Sequence, residues 1–173
     1  MGMGWVAYPR QDKGKSKDIE IEFNGALQDW PSSTRAELGA IASLLLVMPQ
    51  KSSIEICTDS ANAIRLIKQN GHSLNAREEL KLSNRTILQV IKKCIVMKEI
   101  RLKLTKVKAH SGIKENERAD KLANKGRSST CIISFKTGWS KGIRVTPMWK
   151  NHIIDQPVRK FADEVTSIIY DTE

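Results

Sequence analysis

The chain has 173 residues, 40% hydrophobic and 28% charged, which fits one folded domain with a short appendage and excludes a disordered chain. Its 29 Lys and Arg outnumber 19 Asp and Glu, a formal charge of +10. No apolar run reaches bilayer length, since Ile41–Met48 stops at Pro49, and three widely spaced cysteines (Cys57, Cys94, Cys131) suit neither a disulfide framework nor a zinc site. The cysteines and the lack of a signal-peptide pattern predict an intracellular, reducing compartment and no membrane association, with nuclear and cytoplasmic locations both open.

Trp5–Tyr8 and Ile19–Phe23 read as strands, the second with Ile19, Ile21 and Phe23 alternating with Glu20 and Glu22. The Lys-rich stretch Arg10–Asp18 reads as their hairpin connection. A buried helix is predicted from Thr34 to Met48, ended by Pro49. Ser53–Cys57 is a short strand leading to Thr58-Asp59-Ser60, where Ser60 or Asp59 caps a helix over Ala61–Gln69 that Asn70-Gly71 terminates. A polar loop is expected through Glu79. Residues 84–98 form a helix with Ile87, Leu88, Ile91, Cys94 and Ile95 on one face. Ile100–Lys108 is a strand, His110-Ser111-Gly112 a loop, and Asn116–Lys125 a helix ended by Gly126. The order β-β-α-β-α-α-β-α is a mixed α/β pattern. Arg127–Thr130 reads as a linker, followed by a final helix near Val158–Tyr170.

The positive charge is clustered. Residues 1–80 carry 9 basic and 10 acidic side chains, whereas residues 81–108 carry 9 basic and only Glu99 on the acidic side. Such a cluster suits a phosphate-backbone binder, and equally a solvated helix face beside an edge strand guarded by lysines.

Three carboxylates occupy unusual places. Glu37 lies in the first turn of a buried helix, Asp59 at the carboxyl end of a strand where open α/β sheets put their sites, and Asp120 in a helix after the His-Ser-Gly loop. Singly, they read as a dipole partner, a cap and a surface residue. Together, oxygen ligands from three elements suit a hard cation such as Mg²⁺. His110 follows a basic strand; His72 and His152 have no acidic or nucleophilic company.

These residues carry a resemblance. Ser32-Ser33-Thr34-Arg35-Ala36-Glu37-Leu38, Thr58-Asp59-Ser60, and Val107-Lys108-Ala109-His110-Ser111-Gly112 with Glu115-Asn116-Glu117-Arg118-Ala119-Asp120 are similar to the successive motifs of type 1 ribonuclease H, in the style of retroelement-encoded domains. The match spans roughly residues 3–126. It implies a ribonuclease H-like domain over residues 1–126, an α/β fold with a mixed five-stranded sheet flanked by helices, and a C-terminal extension of unassigned role over 127–173. It implies an endonuclease that hydrolyses the RNA strand of an RNA–DNA hybrid using two Mg²⁺ ions, or Mn²⁺, held by four carboxylates. Glu37, Asp59 and Asp120 match three of those four, and His110 the mobile histidine that helps proton transfer and product departure. Ser32, Ser33, Thr34 and Ser60 match hybrid-contacting positions, although Ser33 and Thr34 stand where the family often has Asn or Gln. The implied partners are the hybrid, other nucleic acid, and a larger reverse-transcriptase polyprotein.

The family's first motif, a strand ending in Asp-Gly-Ser, has no counterpart. Gly2–Tyr8 resembles the family's second strand, so the aspartate that touches both metals and the central strand of the sheet are expected before Met1. A chain lacking them is expected to be inactive or weak. It reads as a truncated reading frame, a decayed element fragment, or a short protein that binds hybrid without cutting it. An integrase or resolvase relative is disfavoured by the His-Ser-Gly…Asp spacing.

Overall fold

In the computed structural model, residues 1–8, 20–72, 75–108, 113–135 and 147–170 are described. Strand β1 (Gly2–Ala7) pairs antiparallel with β2 (Ile21–Leu27), Trp5 opposite Phe23. Their aromatic rings stack with centroids 5.6 Å apart. The alternation predicted for β2 sets its faces, with Phe23 and Leu27 toward the core and Glu22 on the other side. The strand begins later than expected and continues through Leu27. Ile21, at its outer end, is 48% exposed because the core does not extend that far. The expected hairpin connection Arg10–Asp18 lies outside the described residues.

Helix α1 (Ser33–Val47) is the centre of the core. Ser32 caps it by accepting a hydrogen bond from the Arg35 amide at 3.1 Å. Leu38, Ile41 and Leu45 bury one face against Ile87, Leu88 and Ile91 of α4 (Arg85–Met97), and Met3, Trp5 and Leu27 of the sheet close the same cluster. The apolar face predicted for residues 84–98 is therefore the one that packs. Between them, β3 (Ser53–Thr58) runs parallel to β4 (Arg101–Lys106), and α2 (Ala61–Gly71) packs on α4. Helix α2 runs through Asn70-Gly71 rather than stopping there. Asn70 is buried and its amide donates to the Leu88 carbonyl at 2.9 Å, which anchors the last turn.

One element was not foreseen. The polar stretch before residue 81 contains α3 (Ala76–Lys81), started by a reciprocal capping box in which Asn75 and Glu78 bond each other's backbone amides. A polar composition hides a helix this short because it has little apolar face to display.

Helix α5 (Lys114–Gly126) lies across β1 and β2. The approach is so close that a Cβ on Gly4 would stand 2.6 Å from the backbone nitrogen of Ala123, and one on Gly2 1.9 Å from its carbonyl oxygen. Only glycine admits the helix there. Arg118 of α5 pairs with Glu20 at 2.7 Å and with Glu22, fixing the rotation of the helix over the hairpin.

The sheet is in two parts. One is β1-β2-β5, where β5 (Ile132–Ile133) adds parallel to β2; the other is β3-β4. Among the described residues β1 and β3 are not paired with each other. Between their facing edges runs a groove of about 970 Å³, floored by Ala36, Ala40, Ile41 and Leu44 of α1.

The C-terminal segment packs back on the helical layer. After a small hairpin of β6 (Met148–Trp149) and β7 (His152–Ile153), Ile154 and Asp155 are buried, and α6 (Val158–Tyr170) follows. The Asp155 carboxylate accepts hydrogen bonds from Arg35 Nη1, the Thr86 amide at 3.0 Å and the Thr86 hydroxyl, joining the starts of α1 and α4. The Trp30 indole donates to the Ile153 carbonyl and meets Phe161 edge-on.

The basic cluster of residues 81–108 does not form one surface. Arg85 is 4% exposed. Lys98 turns its ammonium onto the carbonyls of Leu45, Leu46 and Met48, satisfying the last turn of α1. Arg101, Lys103 and Lys106 of β4 keep their charge at the surface, Lys103 paired with Glu55 at 2.8 Å. Among the described residues, no helix is long and apolar enough to cross a membrane.

Candidate active site

Three elements deliver a carboxylate to the groove. Glu37 comes from α1, Asp59 from the turn that ends β3, and Asp120 from α5, and all three line it. Each is half-buried. Glu37 lies past the first turn of α1, because Ser32 starts the helix, so it is not a dipole partner at the N-terminus. Asp59 is not a cap either, since the Ser60 hydroxyl takes that role for α2 by accepting from the Ala63 amide at 3.2 Å. Asp120 faces the groove while Glu117, Arg118 and Lys121 on the same helix are exposed.

Sequence reasoning missed the residue that orients Glu37. Thr58, the buried last residue of β3, donates its hydroxyl to Glu37 Oε2 at 2.9 Å and accepts the Ser60 amide at 3.1 Å. Its only signal is position: a hydroxyl on the buried face of a strand needs a partner. Lys106 from β4 donates to the Asp59 carbonyl at 3.0 Å, placing a cation beside the turn. Glu115 and Asn116 of α5 also line the groove.

Burial pushes the Glu37 carboxyl above the usual carboxylate range; the Thr58 hydrogen bond opposes this, and the charges of Asp59 and Asp120 add to the rise. The three groups therefore sense one another across the groove. Among the described residues, no group of three or more His, Cys, Asp or Glu side chains is arranged to hold a metal ion. In chemical type all three are oxygen donors, the kind a hard cation takes.

The expected hybrid contacts divide. Ser32 and Ser60 spend their hydroxyls as helix caps, and Thr34 accepts from Asn62 Nδ2 at 3.1 Å, tying the start of α1 to α2. Ser33 opens α1 and is exposed. His110 lies outside the described residues.

Comparison with known proteins places the chain in a family. A ribonuclease H of Neisseria gonorrhoeae is 33% identical over 130 residues, covering 71% of this chain and 83% of that protein. A ribonuclease H of Neisseria meningitidis serogroup C and a ribonuclease HI of serogroup A are each 32% identical over 111 residues, covering 60% of this chain and 72% of the relative. The family model described as RNase H matches residues 2–128, the span that holds β1 through β4, α1 through α5 and all three carboxylates, and the chain belongs to the ribonuclease H family.

Proposed function

We propose that this chain binds RNA–DNA hybrid and hydrolyses its RNA strand internally, with Glu37, Asp59 and Asp120 holding divalent metal. Family membership makes it a hydrolytic ribonuclease by type. The observation that carries the finer reading is the convergence of three carboxylates on one groove, where their mutual repulsion and burial raise Glu37. A cation entering there relieves that repulsion. Bound Mg²⁺ or Mn²⁺ supplies an activated water near neutral pH and stabilises the departing oxygen.

The chain's own residues do the positioning. Thr58 holds the Glu37 carboxylate in one orientation. The Asp59 turn is pinned on one side by the Ser60 cap and on the other by Lys106. Glycine contacts and the Arg118 ion pairs set the height and rotation of α5 and so of Asp120. His110 is proposed to assist proton transfer and product departure. The hybrid would be read by phosphates, groove shape and 2′-hydroxyls, with Ser60 and Lys106 beside the Asp59 turn.

The test is cleavage of a hybrid with end-labelled RNA in Mg²⁺ and Mn²⁺, beside Asp59→Asn. A metal-dependent activity that falls by about 100-fold or more in the variant is expected. Salt-sensitive hybrid binding with no cleavage in either protein would leave a binding module, the reading favoured by exposed Lys103, which lines the groove, and Lys106, which reaches the Asp59 turn.

A further inference from the structure

We propose that the C-terminal segment carries a second nucleic-acid contact, a row of aromatic rings on which unpaired nucleotides stack. Most of its residues lie at 147–161, beyond the span 2–128 that the family model matches, so family membership assigns them no role. Three rings form the row. Phe161 of α6 stands between the two indoles, edge-on to Trp30 with centroids 5.7 Å apart and to Trp149 with centroids 6.0 Å apart. Trp149 is 46% exposed, and Trp30 and Phe161 are half-buried.

The row is preformed. Trp149 sits on β6, and the two-residue turn that follows, Lys150-Asn151, is left-handed at both positions with φ of 45° and 64°, the tight form that fixes a hairpin's register. Trp30 is left-handed as well, at φ 49°, and is held there by its indole hydrogen bond to the Ile153 carbonyl. His152 Nδ1 stands 3.7 Å from Asp29 Oδ1, joining the hairpin to the turn before α1. A rigid platform of this kind loses little conformational freedom when a ligand settles on it.

Charge selects the partner. From 147 to 161 the exposed charged side chains are all basic, namely Lys150, Arg159 and Lys160, the last 3.6 Å from Glu164, while the one carboxylate, Asp155, is buried. Lys150 Nζ lies over the Trp149 ring, 5.8 Å from its centroid. A base stacked on the indole takes that place, and the ammonium, on its flexible stem, turns to the phosphate of the same nucleotide. Bases inside a duplex offer no face to a ring, so the occupant is an unpaired strand. The row has room for about two to four nucleotides at a stacking spacing of about 3.4 Å. Trp30 precedes the Ser32 cap by two residues, and Glu37 lies just past the first turn of the same helix. The row thus stands at the end of α1 that carries Glu37, where unpaired nucleotides flanking a bound hybrid would pass. The inference rests on the reading that this chain acts on nucleic acid, and its test needs neither cleavage nor metal.

The probe is fluorescein-labelled dodecathymidylate, titrated into the full chain by fluorescence anisotropy without divalent metal. Saturable binding with Kd of about 1–100 μM is expected near physiological salt, weakening as salt rises. Trp149→Ala should weaken it by about tenfold or more, and Trp149→Phe should keep most of the affinity, because stacking needs a ring rather than an indole. Lys150→Ala should reduce the slope of log affinity against log salt by about 0.7. A blunt RNA–DNA hybrid in the same assay should bind the parent and Trp149→Ala alike, within about twofold, since it offers no unpaired base. If Trp149→Ala fails to fold by circular dichroism, the phenylalanine variant and the Lys150→Ala salt slope decide the question. No binding of the oligonucleotide by the parent, unchanged affinity in Trp149→Ala, or an equal loss with the blunt hybrid overturns the proposal. Binding to phosphatidylserine vesicles in place of the oligonucleotide overturns it too, because the surface would then serve lipid. Single-strand binding that depends on Trp149 in a chain that cuts no hybrid supports this inference and counts against the catalytic reading alone.

Discussion

The two parts of the sheet are built to different standards. β1 and β2 are covered on both faces, by α1 through Met3 and Trp5 and by α5 through contacts so close that only glycine fits. β3 and β4 are covered on one. Ile56 and Thr58 point inward, while Ser53, Glu55 and Cys57 on the opposite face are exposed. Both parts rest on the same helical layer of α1 and α4. The chemistry sits where they meet: Asp59 on the lightly covered part, Asp120 on the helix of the heavily covered part, and Glu37 on the shared layer. A site assembled this way depends on how the two parts are held relative to each other.

The largest effect should come from cutting the shared layer. Asp155→Ala leaves Arg35 buried without its partner and removes an acceptor from Thr86, which should cost about 3–5 kcal/mol. Urea unfolding read by circular dichroism and by amide exchange should show both sheet parts losing protection together. Protection lost in β3–β4 alone would mean that the C-terminal segment serves only one part.

A smaller and one-sided effect is expected from Gly4→Val. The new side chain would strike the backbone of α5, and overpacking of this kind costs about 1–3 kcal/mol. Exchange should accelerate in β1, β2 and α5 and stay unchanged in β3, β4 and α4. Uniform acceleration would show that the two parts unfold as one unit.

The smallest effect is a matter of pH. The folded-state pKa of Glu37 is raised, so the folded chain binds its proton more tightly than the unfolded chain. Its contribution is therefore neutral below the ordinary carboxylate value and becomes a penalty as pH rises through the raised folded value. Glu37→Gln removes the charge while keeping a hydrogen-bond acceptor for Thr58. The variant should be more stable than the parent at pH 7 and equal to it near pH 4, by thermal melts without divalent metal. Adding Mg²⁺ should narrow the gap at pH 7 by stabilising only the parent. A gap independent of pH would place its origin in packing rather than charge.

Much of the fold was legible from residue pattern. The apolar face of α4, the buried α1 stopped by Pro49, the Ser60 cap and the inward Phe23 of β2 all follow from periodicity and capping chemistry, which act within a few residues. Short polar α3 escaped because its stabilisation is a capping box rather than an apolar face. The charge cluster misled for a different reason. A lysine's partner is invisible in sequence, so Lys98 read as a surface cation although it closes α1, and Arg85 although it is buried.

Residue pattern alone was enough for the order of elements from β1 to α5 apart from α3, for the family motifs and for the three carboxylates, because local spacing encodes which residue types fall on which element. Long-range packing set the rest: Thr58 orients Glu37, the C-terminal segment joins α1 to α4 through Asp155, and β1 and β3 face each other across a groove. Those are contacts between residues 21 to 120 positions apart, or between strands from different parts of the chain, and no periodicity along one segment records them.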